Sequence, residues 1–228
     1  MEVVKLIKGS LKELKKISWE KEISDKSPGS KLIFPKYCVG KETHRDTKRI
    51  SEQEARFLFV RELEKPENEH SFYYSIETPT LKSYKNFSND KTPEITEQEG
   101  RSGSVDVTLY TIEEDDTFCR KHLIEFKFGN VKTCRKDFLK LLCDDEQCKI
   151  NYYINIIDNC NNHTTKSVKS KFKKSIKYII GEKYPIYSEL RIFVFIYGEN
   201  KDKELGEKNF LEYRFLNGEF EEIRQETI

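Results

Sequence analysis

The chain lacks an excess of either charge: 41 Lys and Arg stand against 40 Asp and Glu, a net of +1. Overall charge therefore does not mark a nucleic-acid binder, and only the distribution of charge can carry such information. Long apolar runs are also missing, so no segment is expected to span a bilayer. The run Val3-Val4-Lys5-Leu6-Ile7 is too short for a secretory signal, which makes a cytoplasmic protein the expectation. Cys38, Cys119, Cys134, Cys143, Cys148 and Cys160 contain no C-x-x-C pair. Free thiols are expected rather than a zinc or iron–sulfur site. His44, His70, His122 and His163 are isolated, without metal-ligand spacing. No G-x-x-x-x-G-K-[ST] loop occurs, so ATP-driven work by this chain is not supported.

Aromatics are plentiful. The 15 Phe and 12 Tyr among 228 residues supply apolar area for a substantial core. Val3, Ile7, Leu11 and Leu14 recur at helical spacing and predict a helix over 2–17. Ser51 and Glu54 form an S-x-x-E capping box that starts a second helix, ended by Pro66. Strands are predicted at 70–78, 102–112 and 118–128, with a long polar loop over 82–100. A helix over 133–146, a doubly buried strand over 152–157, a basic helix over 165–181 and a strand over 189–197 follow. Asn217-Gly218 marks a terminal hairpin. This order predicts an α/β fold around a central mixed β-sheet flanked by helices, with an N-terminal helix and a C-terminal β-hairpin as additions. The expected division is an N-terminal extension over 1–49, a core over 50–200, and a hairpin over 201–228 packed on that core.

Asp106, Glu125 and Lys127 carry the chemistry. If the chain folds back at Asp115-Asp116, Asp106 lands opposite Glu125 on the neighbouring strand. Alternation places Asp106 and Thr108 on one face of their strand, and Glu125 and Lys127 on the matching face of the other. The polar sets would then project toward a cleft. Two carboxylates, a backbone carbonyl and waters suit a magnesium-type cation, and the lysine could orient water or stabilise a transition state.

The spacing D-x18-E-x-K, read as Asp106…Glu125-Phe126-Lys127, resembles the signature of the PD-(D/E)XK phosphodiesterase superfamily, the restriction-endonuclease-like fold. The segments Gly103-Ser104-Val105-Asp106-Val107 and Leu123-Ile124-Glu125-Phe126-Lys127 resemble its two motif strands. The helix–strand–strand–strand–helix–strand order over 51–158 is similar to its common core. No proline precedes Asp106. The resemblance implies a Mg2+-dependent nuclease, with Mn2+ as the substitute metal, acting on DNA as an endonuclease of restriction, defence or repair type. It implies Asp106, Glu125 and the Phe126 carbonyl as metal ligands, Lys127 as a catalytic residue, and Glu54 (less so Glu62) as a further catalytic carboxylate on the first core helix. A homodimer would suit cutting of both strands.

Basic residues supply the expected nucleic-acid contacts. Lys132, Arg135, Lys136 and Lys140 begin and line the helix after Lys127, and Arg101 precedes the Asp106 strand. Lys166, Lys169, Lys171, Lys173, Lys174 and Lys177 crowd the basic helix, with Lys169 and Lys173 on its outer surface. Two other readings compete: a catalytically inactive module of the same fold that binds nucleic acid or protein, and a hydrolase using the carboxylates without metal.

Overall fold

The computed structural model describes residues 2–20, 30–38, 46–48, 50–68, 72–86, 92–97, 99–129 and 133–228. The chain divides into two compact units, Met1–Ser71 and Phe72–Ile228. This boundary falls after the capping-box helix rather than before it, and the terminal hairpin belongs with the second unit.

In the first unit, helix α1 (Glu2–Leu14) buries Val3, Leu6, Ile7, Leu11 and Leu14. Four short strands follow: β1 (Ser18–Trp19), β2 (Ile33–Phe34), β3 (Lys36–Cys38) and β4 (Asp46–Lys48). Helix α2 (Glu52–Leu63) packs on α1 and buries Ala55, Leu58, Phe59 and Leu63. Its capping box forms as the sequence indicates: Ser51 N–H and Oγ both donate to Glu54 Oε2, at 2.9 and 2.6 Å. Gly9 of α1 lies under the Glu62 carboxylate, where an added Cβ would come within 2.6 Å of Glu62 Oε1.

The second unit is built on β5 (Tyr73–Lys85), β6 (Glu94–Thr96), β7 (Arg101–Ile112), β8 (Phe118–Phe128), α3 (Arg135–Cys143), β9 (Ile150–Ile157), α4 (Asn162–Gly181), β10 (Glu189–Ile196), β11 (Phe210–Leu216) and β12 (Glu219–Glu226). Its strands form one eight-stranded mixed sheet in the order β12-β11-β10-β9-β8-β7-β5-β6. β8, β9 and β10 run parallel, joined by α3 and α4, and the outer strands pair antiparallel. The two helices pack on each other and on one sheet face. There Phe138, Leu142, Val168, Phe172 and Ile176 meet Leu123, Tyr153, Ile192 and Val194.

Local chemistry explains the turns. Asn217 and Gly218 both take positive φ, 52° and 85°, as a two-residue type I′ hairpin requires. At the β7–β8 turn the Asp115 carboxylate accepts from Thr117 N–H and hydroxyl at 3.2 and 2.6 Å. Asn161 caps α4 by accepting from His163 and Thr164 N–H.

One expectation needs correction. Residues 82–85 are not loop: β5 continues through Lys85 across a bulge between Pro79 and Ser83, and β6 pairs with its end. The proline and the polar residues there suit a bulged strand near the sheet edge, which reads locally like loop. Part of that stretch, 87–91 and residue 98, lies outside the described residues.

Candidate active site

β7 and β8 pair from Ile112 and Phe118 down to Val107 and Ile124, with a bulge between Leu109 and Tyr110. The register at Thr108↔Leu123 and Val107↔Ile124 sets Asp106 opposite Glu125. There the ladder stops. β7 keeps pairing with β5 to Arg101, while β8 continues against β9 through Glu125↔Tyr153 and Lys127↔Asn155. The Phe126 N–H donates instead to Asp106 Oδ2 at 2.7 Å. Asp106 and Glu125 thus sit where two strands part.

Helix α3 fills that parting. The Lys140 ammonium is ion-paired with Glu125, donates to Ser104 O at 2.7 Å, and lies 3.5 Å from Asp137 Oδ1 one turn back on its own helix. Glu125 is 2 % exposed and Lys140 3 %. The expected open cleft is therefore corrected: the face carrying Thr108 and Glu125 is covered, and both are buried, whereas Asp106 and Lys127 are half-buried. α3 reaches this face because the β8–β9 crossover packs on it, a tertiary effect that strand alternation does not encode.

Burial pushes the Glu125 carboxyl up to about 8; Lys140 pulls against this, and the charges of Asp137 and Asp106 add to the rise. For Lys140, burial acts downward, but Glu125 and Asp137 outweigh it and its pKa ends above the ordinary value. Lys136 feels the same cluster. Partial desolvation and then the Lys140 charge hold its pKa down.

The remaining proposed residues are distributed as follows. Glu54 lies in the first unit, its carboxylate engaged in the α2 cap, and Glu62 there pairs with Lys65 at 2.6 Å. Arg135 and Lys136 stand at the start of α3, the Arg135 guanidinium 4.8 Å from the Tyr178 ring centre. Lys132 lies outside the described residues, as do His44 and His70. On α4, Lys169 is held by Glu222 at 2.6 Å and lies over Tyr213, while the exposed Lys173 lies over Phe220. With Lys166, Lys174 and Lys177 they line a shallow groove of about 340 Å³. Cys119, Cys134, Cys143, Cys148 and Cys160 are free thiols.

Two positioning devices were not legible as such. Asn151 donates to Leu141 O and accepts from Leu123 N–H, tying β9 to both α3 and β8. Asn155 donates to Gly129 O at 2.9 Å, fixing the end of the Lys127 strand. A signal existed for each: an asparagine interrupting the apolar run of β9, as Lys140 interrupts Phe138-Leu139-Lys140-Leu141-Leu142.

The donor set bears on a cation. The Glu125 and Asp137 carboxylates and the Ser104 carbonyl converge on the Lys140 ammonium, so the pocket already holds a positive charge among oxygens. Oxygen donors of this kind suit a hard divalent ion, given that the ammonium moves off Glu125. Among the described residues, no group of three or more His, Cys, Asp and Glu is placed to hold a metal. A site on the expected pair, Asp106 and Glu125, would therefore need carbonyl and solvent oxygens to complete it. Also among the described residues, no helix is long and apolar enough to cross a membrane.

Comparison with protein-family models, curated proteins and solved structures yields no match.

Proposed function

We propose that the chain is a metal-dependent phosphodiesterase of PD-(D/E)XK type, acting on nucleic acid, with DNA the first substrate to test. The observation that carries this reading is the juxtaposition of Asp106 and Glu125 where β7 and β8 part, with Lys127 next on the same face of β8. The element order α2, β5, β6, β7, β8, α3, β9, in which β6 is a three-residue edge strand, supports it further.

Asp106, Glu125 and the Phe126 carbonyl would hold Mg2+ or Mn2+. The ion would supply an acidified water and neutralise a phosphate oxygen. Asp106 Oδ2 is fixed by the Phe126 N–H, which ties the carboxylate to the backbone of the E-x-K strand. Lys127 would orient the water or meet developing charge on phosphate. Lys140 holds Glu125 and would have to leave it for a cation to bind there; its ammonium would then be free to add positive charge beside a phosphate. Arg135 and Lys136 at the head of α3 are proposed to contact the backbone of the substrate.

A second reading is favoured by that same Lys140. An ammonium seated on a buried glutamate also suits an inactive member of the fold that binds nucleic acid or protein. Incubation with supercoiled, linear and branched DNA plus Mg2+ or Mn2+ separates the two. The nuclease reading expects cleavage that EDTA stops and Lys127→Ala removes, with binding retained. Binding without metal-dependent cleavage by the wild type favours the inactive module, and cleavage that persists in EDTA overturns metal dependence.

A further inference from the structure

A cavity of about 660 Å³ opens one turn beyond Lys140, at the C-terminal end of α3. Its lining includes Lys82 of β5, Tyr110 of β7, Phe118 and Arg120 of β8, and Tyr187 ahead of β10. The size is that of a small-molecule or nucleotide site.

The acidic residues on its floor are turned inward. Asp144 accepts from Leu81 N–H, Lys82 N–H and Tyr84 OH at 3.0, 2.9 and 3.0 Å, with Arg120 at 3.9 Å. Asp145 accepts from Gln147 N–H at 2.9 Å. Their charge is spent on the fold. The exposed Glu146 and Gln147 also line the cavity, beside a cationic and aromatic group. The Lys82 ammonium lies 4.6 Å from the Tyr187 ring centre and donates to its hydroxyl at 3.1 Å. Phe118 is 61 % exposed, in a stretch of sheet where Tyr73, Ile76, Leu81 and Ile112 are exposed as well. Its ring stands 5.1 Å from that of the exposed Tyr73 and 6.4 Å from that of Tyr110, which extends the platform along the strand ends.

The exposed Phe118, with the half-buried Tyr187 and with Lys82 and Arg120 beside it, offers a stacking surface for a flat, electron-rich ligand with attached anions. A cationic guest would meet Lys82 and Arg120. We propose that this cavity receives an unpaired base of a single-stranded nucleic acid. The base stacks on Phe118 and Tyr187, and its flanking phosphates lie toward Lys82 and Arg120. Asp144 follows Lys140 by four residues, about one 5.4 Å helical turn. Phe118 lies seven residues along β8 from Glu125, roughly 23 Å at about 3.3 Å per residue, so a strand lying on the carboxylates would reach this cavity several nucleotides away. The assignment rests on the phosphodiesterase reading for its partner, and makes that reading selective for substrates with unpaired nucleotides.

The test is fluorescence anisotropy of short labelled oligonucleotides, in chelator so that nothing is cut, comparing single-stranded DNA, single-stranded RNA and blunt duplex. Phe118→Ala and Tyr187→Ala should each weaken single-strand binding about tenfold, Phe118→Trp should restore it, and duplex binding should change little. The DNA and RNA arms show which strand is preferred. Equal single-strand affinity in wild type and Phe118→Ala overturns the assignment, as does an equal loss on duplex. Because the readout is binding, its failure is separable from that of the nuclease reading. Phe118-dependent binding without metal-dependent cleavage overturns catalysis and leaves this site standing. Cleavage with Phe118-independent binding does the reverse.

Discussion

Asp144→Ala offers the sharpest stability test of how the second unit is held in register. The Asp144 side chain is fully buried and joins the end of α3 to the bulge of β5. Removing it strands three donors. Tyr84 OH is buried and loses its carboxylate acceptor, which costs about 1–3 kcal/mol of uncompensated desolvation. The Leu81 and Lys82 N–H groups are part-buried and lose bonds to a charged acceptor, each contributing at most about 1.5–3 kcal/mol and less where water can substitute. Allowing for that replacement, the expected loss is about 3–6 kcal/mol, a large share of the ~5–15 kcal/mol typical of a domain. Asp144→Asn keeps one oxygen and should lose about half as much. Urea denaturation followed by far-UV circular dichroism measures both, with the midpoint shifting at unchanged slope. A loss under about 1 kcal/mol for the alanine variant, or an asparagine variant as unstable as the alanine, would refute the reasoning. The Tyr84 phenol reports independently. Burial and then Asp144 raise its pKa, so it should titrate closer to the ordinary value in the alanine variant.

Three further outcomes concern the buried pair. Lys140→Met should cost most at high pH, up to about 3–5 kcal/mol, because the wild-type pair is ionised there while the variant, without the ammonium that lowers the Glu125 pKa, must keep that carboxyl protonated or bury it unpaired. Near pH 5 it should cost less, because Glu125 takes up a proton; urea titrations at the two pH values check this. In the wild type, the folded pKa of Glu125 lies above its ordinary 4.5, so its contribution to stability is complete below pH 4.5 and is lost as pH rises through about 8. Metal binding needs the ionised carboxylate, so Mn2+ affinity should rise with pH up to about 8 with release of close to one proton, readable by calorimetry in buffers of different ionisation heat.

Much of the second unit was legible in the chain. β7, β8 and the Asp106–Glu125 register follow from alternation and from an acidic turn at the hairpin midpoint, which are local signals. The Asn217-Gly218 hairpin is equally local. The covering of Glu125 was not legible, because it depends on where a crossover helix lands rather than on any pattern within β8. Lys140 illustrates the difference. In sequence it is one of several cations on α3, and only packing turns it into the counter-charge of a buried glutamate. The β5 extension was missed for the converse reason: Pro79 and the polar residues after it favour loop locally, and pairing with β7 and β6 overrides them.

The claim on which the functional account turns is that Asp106 and Glu125 can share one divalent cation. Titration of Mn2+ into the full chain, followed by electron paramagnetic resonance, addresses it without any substrate. The account predicts saturable binding of one ion, weakened at least tenfold by Asp106→Asn, a change that keeps an oxygen to accept the Phe126 N–H and so spares the strand. Equal Mn2+ affinity in the wild type and in Asp106→Asn, or no saturable binding in either, would contradict it.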